Sequence, residues 1–265
     1  MDAADEMPRD RAEGSDDQIK AQHEEEASKR YQDAKLHRER LIGDFLVALQ
    51  LTWLADTRFS ESQKWLMQNM SDELLESAVA LLQLTEQGIF NVARRELRYM
   101  LEAAVKYIYV DRKLGASASL EDRVRFLGDT QKVPRSSVTR IDDLRILMVR
   151  DPDDFRAAVH SCFGRLSGYV HPSQPALGER LARAGRGEFS GFESARTLES
   201  FNSVASQCLD LVLVLLFNGI GPTSTGDLFT EAFDRREQWK FHCTRYVPQV
   251  SRFFDYKVER QGPSA

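Results

Sequence analysis

The chain has 265 residues, 42% of them hydrophobic and 29% charged, which suits a soluble globular protein with a sizeable core. The formal net charge of −5 argues against nucleic-acid binding through overall basicity, but it is unevenly spread: residues 1–26 hold ten acidic and three basic side chains, leaving the remaining body at +2. The N-terminus is acidic rather than basic-then-apolar, the longest strongly apolar run is Leu211–Phe217, and the three cysteines are scattered without a CxxC pair. These features argue against a secretory signal, a membrane span of about 18 residues or more, a disulfide framework and a structural zinc, and they predict a cytoplasmic protein.

In chain order, residues 1–16 are polar and lack an apolar period, which predicts disorder. Residues 17–40 are rich in helix formers and poor in core residues, so an exposed helical arm is expected, becoming apolar from Leu41 to Ala55. Ser71-Asp72-Glu73 opens the next helix, with Leu74, Ala78 and Leu81 inward and Gly88 as its stop. The clearest helix is Phe90–Leu114, where Leu97, Met100, Leu101, Ala104 and Ile108 recur at three and four residues and Gly115 ends the run. A short helix over 120–130 and another from about 136 to 150 follow, the latter with Ile141, Leu144, Leu147 and Met148 inward. Asp151-Pro152 caps a helix that runs to Pro172. The glycines of residues 172–191 predict a mobile loop. Residues 194–218 form the last strong core helix, Gly219–Pro222 ends it, and a final helix covers about 225–241. No alternating strand pattern occurs. The expected fold class is all-α: an antiparallel helical bundle at 70–218, preceded by the helical arm and first helices of 17–69 and followed by an appended helix and tail at 219–265.

Few chemical motifs are present. P-loop, GxGxxG, HExxH and GxSxG patterns are absent, and the histidines are dispersed, so neither a metal nor another cofactor is expected. The informative stretch is Arg165-Leu-Ser-Gly-Tyr-Val-His171, followed by Pro172 at a predicted helix end. A permanent guanidinium cation suits a phosphate, and an imidazole exchanges a proton near neutral pH, so together they meet the needs of phosphodiester cleavage. The competing readings are a helix-terminal His171 against backbone carbonyls and a surface ion pair for Arg165. Arg180, Arg183 and Arg186 either contact RNA phosphates or belong to a solvated loop with Glu179 and Glu188. Arg94, Arg95 and Arg98 either line a phosphate groove or pair with Glu96 and Glu102 on a polar helix face. Tyr99, Tyr107 and Tyr109 either stack bases or pack.

With these residues, the chain resembles the HEPN superfamily of helical bundles, many of them metal-independent ribonucleases of toxin–antitoxin, antiphage or RNA-processing systems. The resemblance covers roughly 70–218 and rests on Arg165 and His171 with five residues between them, and on the helix Arg94-Arg-Glu-Leu-Arg-Tyr-Met-Leu-Glu102-Ala-Ala-Val-Lys-Tyr. It implies a homodimer acting on RNA, with His171 as general acid or base, Arg165 as transition-state stabiliser, and Glu102 and Tyr169 in support. The active enzymes place a polar residue directly after the arginine, where this chain has Leu166. That departure leaves an alternative open: a noncatalytic interaction or scaffold module whose acidic N-terminal arm binds a protein partner.

Overall fold

A computed structural model gives the fold and describes the backbone of residues 10–56, 65–69, 71–129, 133, 138–170, 173–188 and 193–254. Among these the chain is all helix and turn. It runs through α1 (Asp10–Ala27), α2 (Lys29–Asp56), α3 (Leu66–Asn69), α4 (Ser71–Glu86), α5 (Phe90–Leu114), α6 (Leu120–Gly128), α7 (Pro152–Ser167), α8 (Gln174–Ala184), α9 (Ala195–Ile220), α10 (Pro222–Leu228) and α11 (Val247–Phe253). The α5–α9 interface is the largest, and α2, α4 and α7 pack around that pair, so the expected helical bundle is the observed architecture. By length and composition alone α9 is apolar enough to span a membrane, but 67% of its most apolar window is packed inside the bundle, which makes it the core helix.

The helix ends follow local chemistry. Asp151 accepts hydrogen bonds from the amides of Asp153 and Asp154, with Pro152 in the first turn of α7. Ser119 and Asp122 form a reciprocal capping box on α6. Gly115 and Gly221 end α5 and α9 at φ values of 70° and 87°, a region that side chains with a Cβ rarely enter.

Several expected elements differ. The segment read as an exposed arm divides at Ser28, and α2 enters the core early: Tyr31, Ala34, Arg38, Leu41, Ile42 and Phe45 are buried on its inward face. Arg38 reaches the core because its guanidinium donates to the Thr85 carbonyl at 2.9 Å. The disordered stretch expected through residue 16 is helical from Asp10, and residues 1–9 lie outside the described range.

The helix expected over 136–150 is replaced by a 3₁₀ turn, Val138–Asp143, and an irregular segment after it; residues 134–137 lie outside the described range. Leu144, Ile146 and Met148 are the buried positions there, alternating as in extended chain. Tertiary groups satisfy this backbone: Asn218 Oδ1 accepts from the Leu147 amide at 2.7 Å, and Arg156 donates to the Leu144 carbonyl at 2.7 Å. The expected loop over 172–191 contains α8, capped by Ser173. The expected final helix breaks into α10, a π-helical turn (Phe229–Phe233) and a 3₁₀ turn (Lys240–Cys243). Phe217, Phe229, Phe233 and Trp239 cluster there, with Phe233 stacked on Trp239 at 4.5 Å between centroids.

Candidate functional site

The site is built where α7 ends and α8 begins. After Ser167 the chain leaves α7 through a turn at residues 168–170, and Ser173 caps α8, accepting from the Ala176 amide at 3.3 Å. His171 and Pro172, between turn and cap, lie outside the described residues. The turn is fastened to the N-terminal half of α5 by three arginines that sequence places on one helix.

Arg94 is buried, and its guanidinium lies 3.0 Å from a Glu179 oxygen on α8 and 4.5 Å from the centroid of the Tyr169 ring. It also donates to Asn91 Oδ1 at 3.0 Å. The Tyr169 hydroxyl donates to the other Glu179 oxygen at 2.7 Å, and burial followed by this bond raises the phenol above its ordinary pKa. Arg95 donates through Nε to the Tyr169 carbonyl at 2.7 Å. Arg98 donates to Ser167 Oγ at 3.0 Å, lies over the Phe163 ring, and sits 3.4 Å from Glu102. Glu102, itself buried, is also 3.2 Å from Lys106.

Two adjoining clefts, of about 410 and 350 Å³, open along this seam between α5 and α8. Asn91, Arg95 and Arg180 line both. Arg95 and Arg180 are exposed, Arg95 uses only its Nε in the contact to Tyr169, and no ion pair holds Arg180 among the described residues. Ser173 and Gln174 add polar groups at the α8 end. The result is a groove with two cations offered to solvent, suited to a phosphate backbone.

The other arginines singled out in the sequence have different duties. Arg183 and Arg186 both approach Glu188, at 3.5 and 2.6 Å. Burial works to raise the Glu188 carboxyl, but hydrogen bonds from Arg186, Thr197 and Ser194 outweigh it and hold the group below the ordinary glutamate value. Arg165 is exposed on α7, and its guanidinium donates to Gln207 Oε1 on α9. Leu166 is fully buried in the core. Cys162 on α7 and Cys208 on α9 are also fully buried, and the Cys208 thiol donates to the Leu97 carbonyl at 3.2 Å. The neighbouring Cys208 thiol first, against burial, together with the nearby Arg165 charge, lowers the Cys162 thiol, while burial pushes Cys208 up.

Sequence reasoning named Arg95, Arg180 and Tyr169 but missed the Glu179–Arg94–Tyr169 knot that brings them together. It also missed Asn91, Ser173 and Gln174. The one available signal was Ser173 three residues before Ala176 and the Ala-, Leu- and Arg-rich run to Ala184, which reads as a capped helix despite Gly178.

Fold and groove define an all-α helical bundle with an arginine-lined cleft at one helix seam. The chain matches no protein-family model, no curated protein sequence and no solved structure.

Proposed function

We propose that this is a HEPN-like helical protein that acts on RNA and grips its phosphates in the α5–α8 groove. The observation that carries the reading is the meeting of Arg95 and Arg180, distant in sequence, in one cleft beside the turn that leads to His171. Neutralising phosphates releases counterions, so two solvent-facing guanidinium groups in a groove favour RNA binding even on a chain whose net charge is negative. In the cleavage step that the HEPN resemblance implies, His171 takes the proton of a ribose 2′-hydroxyl, the 2′-oxygen attacks phosphorus, and the P–O5′ bond breaks as the 5′-oxygen takes up a proton from water. The products are a 2′,3′-cyclic phosphate and a 5′-hydroxyl, with Arg165 stabilising the charge at phosphorus.

The experiment is RNA binding and RNA cleavage by the purified chain beside Arg95→Ala/Arg180→Ala, Arg165→Ala and His171→Ala. The reading expects weaker binding in the double variant, and loss of cleavage with retained binding in His171→Ala. Equal cleavage by every form, or none by any, removes the catalytic step and leaves RNA binding to be judged by the double variant.

A second reading, a noncatalytic module that binds a protein partner, is favoured by the outer face of α8. Leu177 and Leu181, one turn apart, are 58% and 64% exposed, and Leu166 is a core residue rather than a polar neighbour of Arg165.

A further inference from the structure

The smaller of the two clefts along the α5–α8 seam, of about 350 Å³, lies within the size range of small-ligand sites. Residues 88–92 line it, and they form the N-terminus of α5, a helix of 25 residues. Ile89 stands at the cap and makes no side-chain hydrogen bond to the first turn. The amides of a first turn have no partner within their own helix, so they and the helix dipole offer donors and partial positive charge to an anion.

Three arginines, Arg95, Arg180 and Arg183, line the same cleft against two glutamates. Both glutamates are already engaged: Glu179 by Arg94 and the Tyr169 hydroxyl, Glu188 by Arg186, Ser194 and Thr197. They leave Arg183 unsatisfied. Its side chain is only 12% exposed and its Nε lies 3.5 Å from Glu188, yet Nε and Nη2 are buried and donate no hydrogen bond. The buried Glu193 also stands near Arg183, but burial holds its carboxyl above the ordinary glutamate value, which weakens the charge set against the guanidinium. Buried donors without acceptors are costly, and an anion in the cleft relieves that cost.

An RNA strand offers two kinds of phosphate. An internal diester carries one negative charge, whereas a terminal monoester carries roughly −1.5 to −2 at pH 7 and presents three acceptor oxygens. An uncapped helix N-terminus, an excess of guanidinium and orphaned donors in one cleft match the monoester. We propose that the smaller cleft seats the terminal phosphate of an RNA strand, with Arg183 and the first turn of α5 as its donors. The strand then continues past Arg95 and Arg180, which line both clefts, toward Ser173. This inference deepens the RNA reading and rests on it.

The test uses short single-stranded RNAs of one sequence, 2′-O-methylated so that no 2′-hydroxyl can attack, ending in a 5′-phosphate, a 3′-phosphate or hydroxyls at both ends. Each is titrated calorimetrically into the full chain. One phosphate-ended strand should bind at least tenfold tighter than the hydroxyl-ended strand, and which one it is gives the strand's polarity in the groove. Arg183→Gln removes the orphaned donors, and Ile89→Asp sets a carboxylate at the first turn from a position 37% exposed. Each should bring the preferred strand down to the affinity of the hydroxyl-ended one, which itself stays within about threefold of its wild-type affinity. Equal binding of the three strands, a gain shared equally by both phosphate ends, or a tenfold preference that persists in either variant would overturn the inference and leave the RNA reading standing. No binding of any strand would remove the RNA reading and this inference with it.

Discussion

Glu188 gathers two arginines, a serine and a threonine onto one carboxylate, and so ties the end of α8 to the start of α9. Because its folded pKa is depressed, its contribution to stability is fully present above the unfolded glutamate value of about 4.3 and is lost as pH falls through the lower folded value. Glu188→Gln should therefore lower the urea midpoint most near neutral pH, and the gap to the wild type should close as the solution is acidified below about pH 4. A gap that stays constant with pH would contradict the assignment. Leu166 makes a second residue-scale case. Leu166→Asn puts a polar residue directly after Arg165 and so places an amide in the core. It should cost about 2–4 kcal/mol, read as a fall in melting temperature. At this scale sequence revealed residue types and little about partners. Arg165 was legible as a candidate cation, but its acceptor Gln207 lies 42 residues away on another helix. Arg94 was placed with Glu96 or Glu102, whereas Glu96 accepts from Ser77 and Arg94 turns to Glu179. His171, the other half of the motif, lies outside the described residues.

Among the elements, α8 meets α5 through Glu179 and through Arg183, which lies over the Phe90 ring. Glu179 is an ion-pair link from α8 to α5, shared by the buried Arg94 and by Tyr169. Glu179→Ala strands a buried guanidinium and should destabilise the fold by about 3 kcal/mol, with faster hydrogen exchange over residues 174–184 before global unfolding. Unchanged exchange there would show that α8 is held by other means. Asp210 has the corresponding role at α11, where it receives the amides of Tyr246 and Val247 and the Thr244 hydroxyl. Asp210→Ala should cost about 2–4 kcal/mol by chemical denaturation, because three donors lose a buried acceptor together. Long helices such as α5 and α9 were legible because their apolar period persists over six turns or more. The chain between Val138 and Arg150 was not, since Ile141, Leu144, Leu147 and Met148 fit a helical period by spacing alone. There the backbone is fixed by Asn218 and Arg156, side chains that no local window contains. α8 was hidden by glycine count: Gly178 and Gly185 suggested a loop, while the Ser173 cap and the contact to Arg94 outweigh their cost.

On the scale of the whole molecule, one core runs from α2 to α11, and the arginines emerge from it at the α5–α8 seam. The acidic segment of residues 1–26 ends in contact with that body, since Glu25 accepts from the Ala195 amide at 2.8 Å at the start of α9. Composition foretold a helical globule and an acidic end. It did not foretell a cationic groove on a body of nearly balanced charge, because clustering depends on which helix faces share a seam. The measurement that bears most directly on RNA recognition is the salt dependence of binding to a single-stranded RNA, wild type against Arg95→Ala/Arg180→Ala. The account predicts about tenfold weaker binding per arginine removed and a log–log salt slope shallower by about 0.7 for each lost phosphate contact. Equal affinity and equal slope in the two proteins would contradict it.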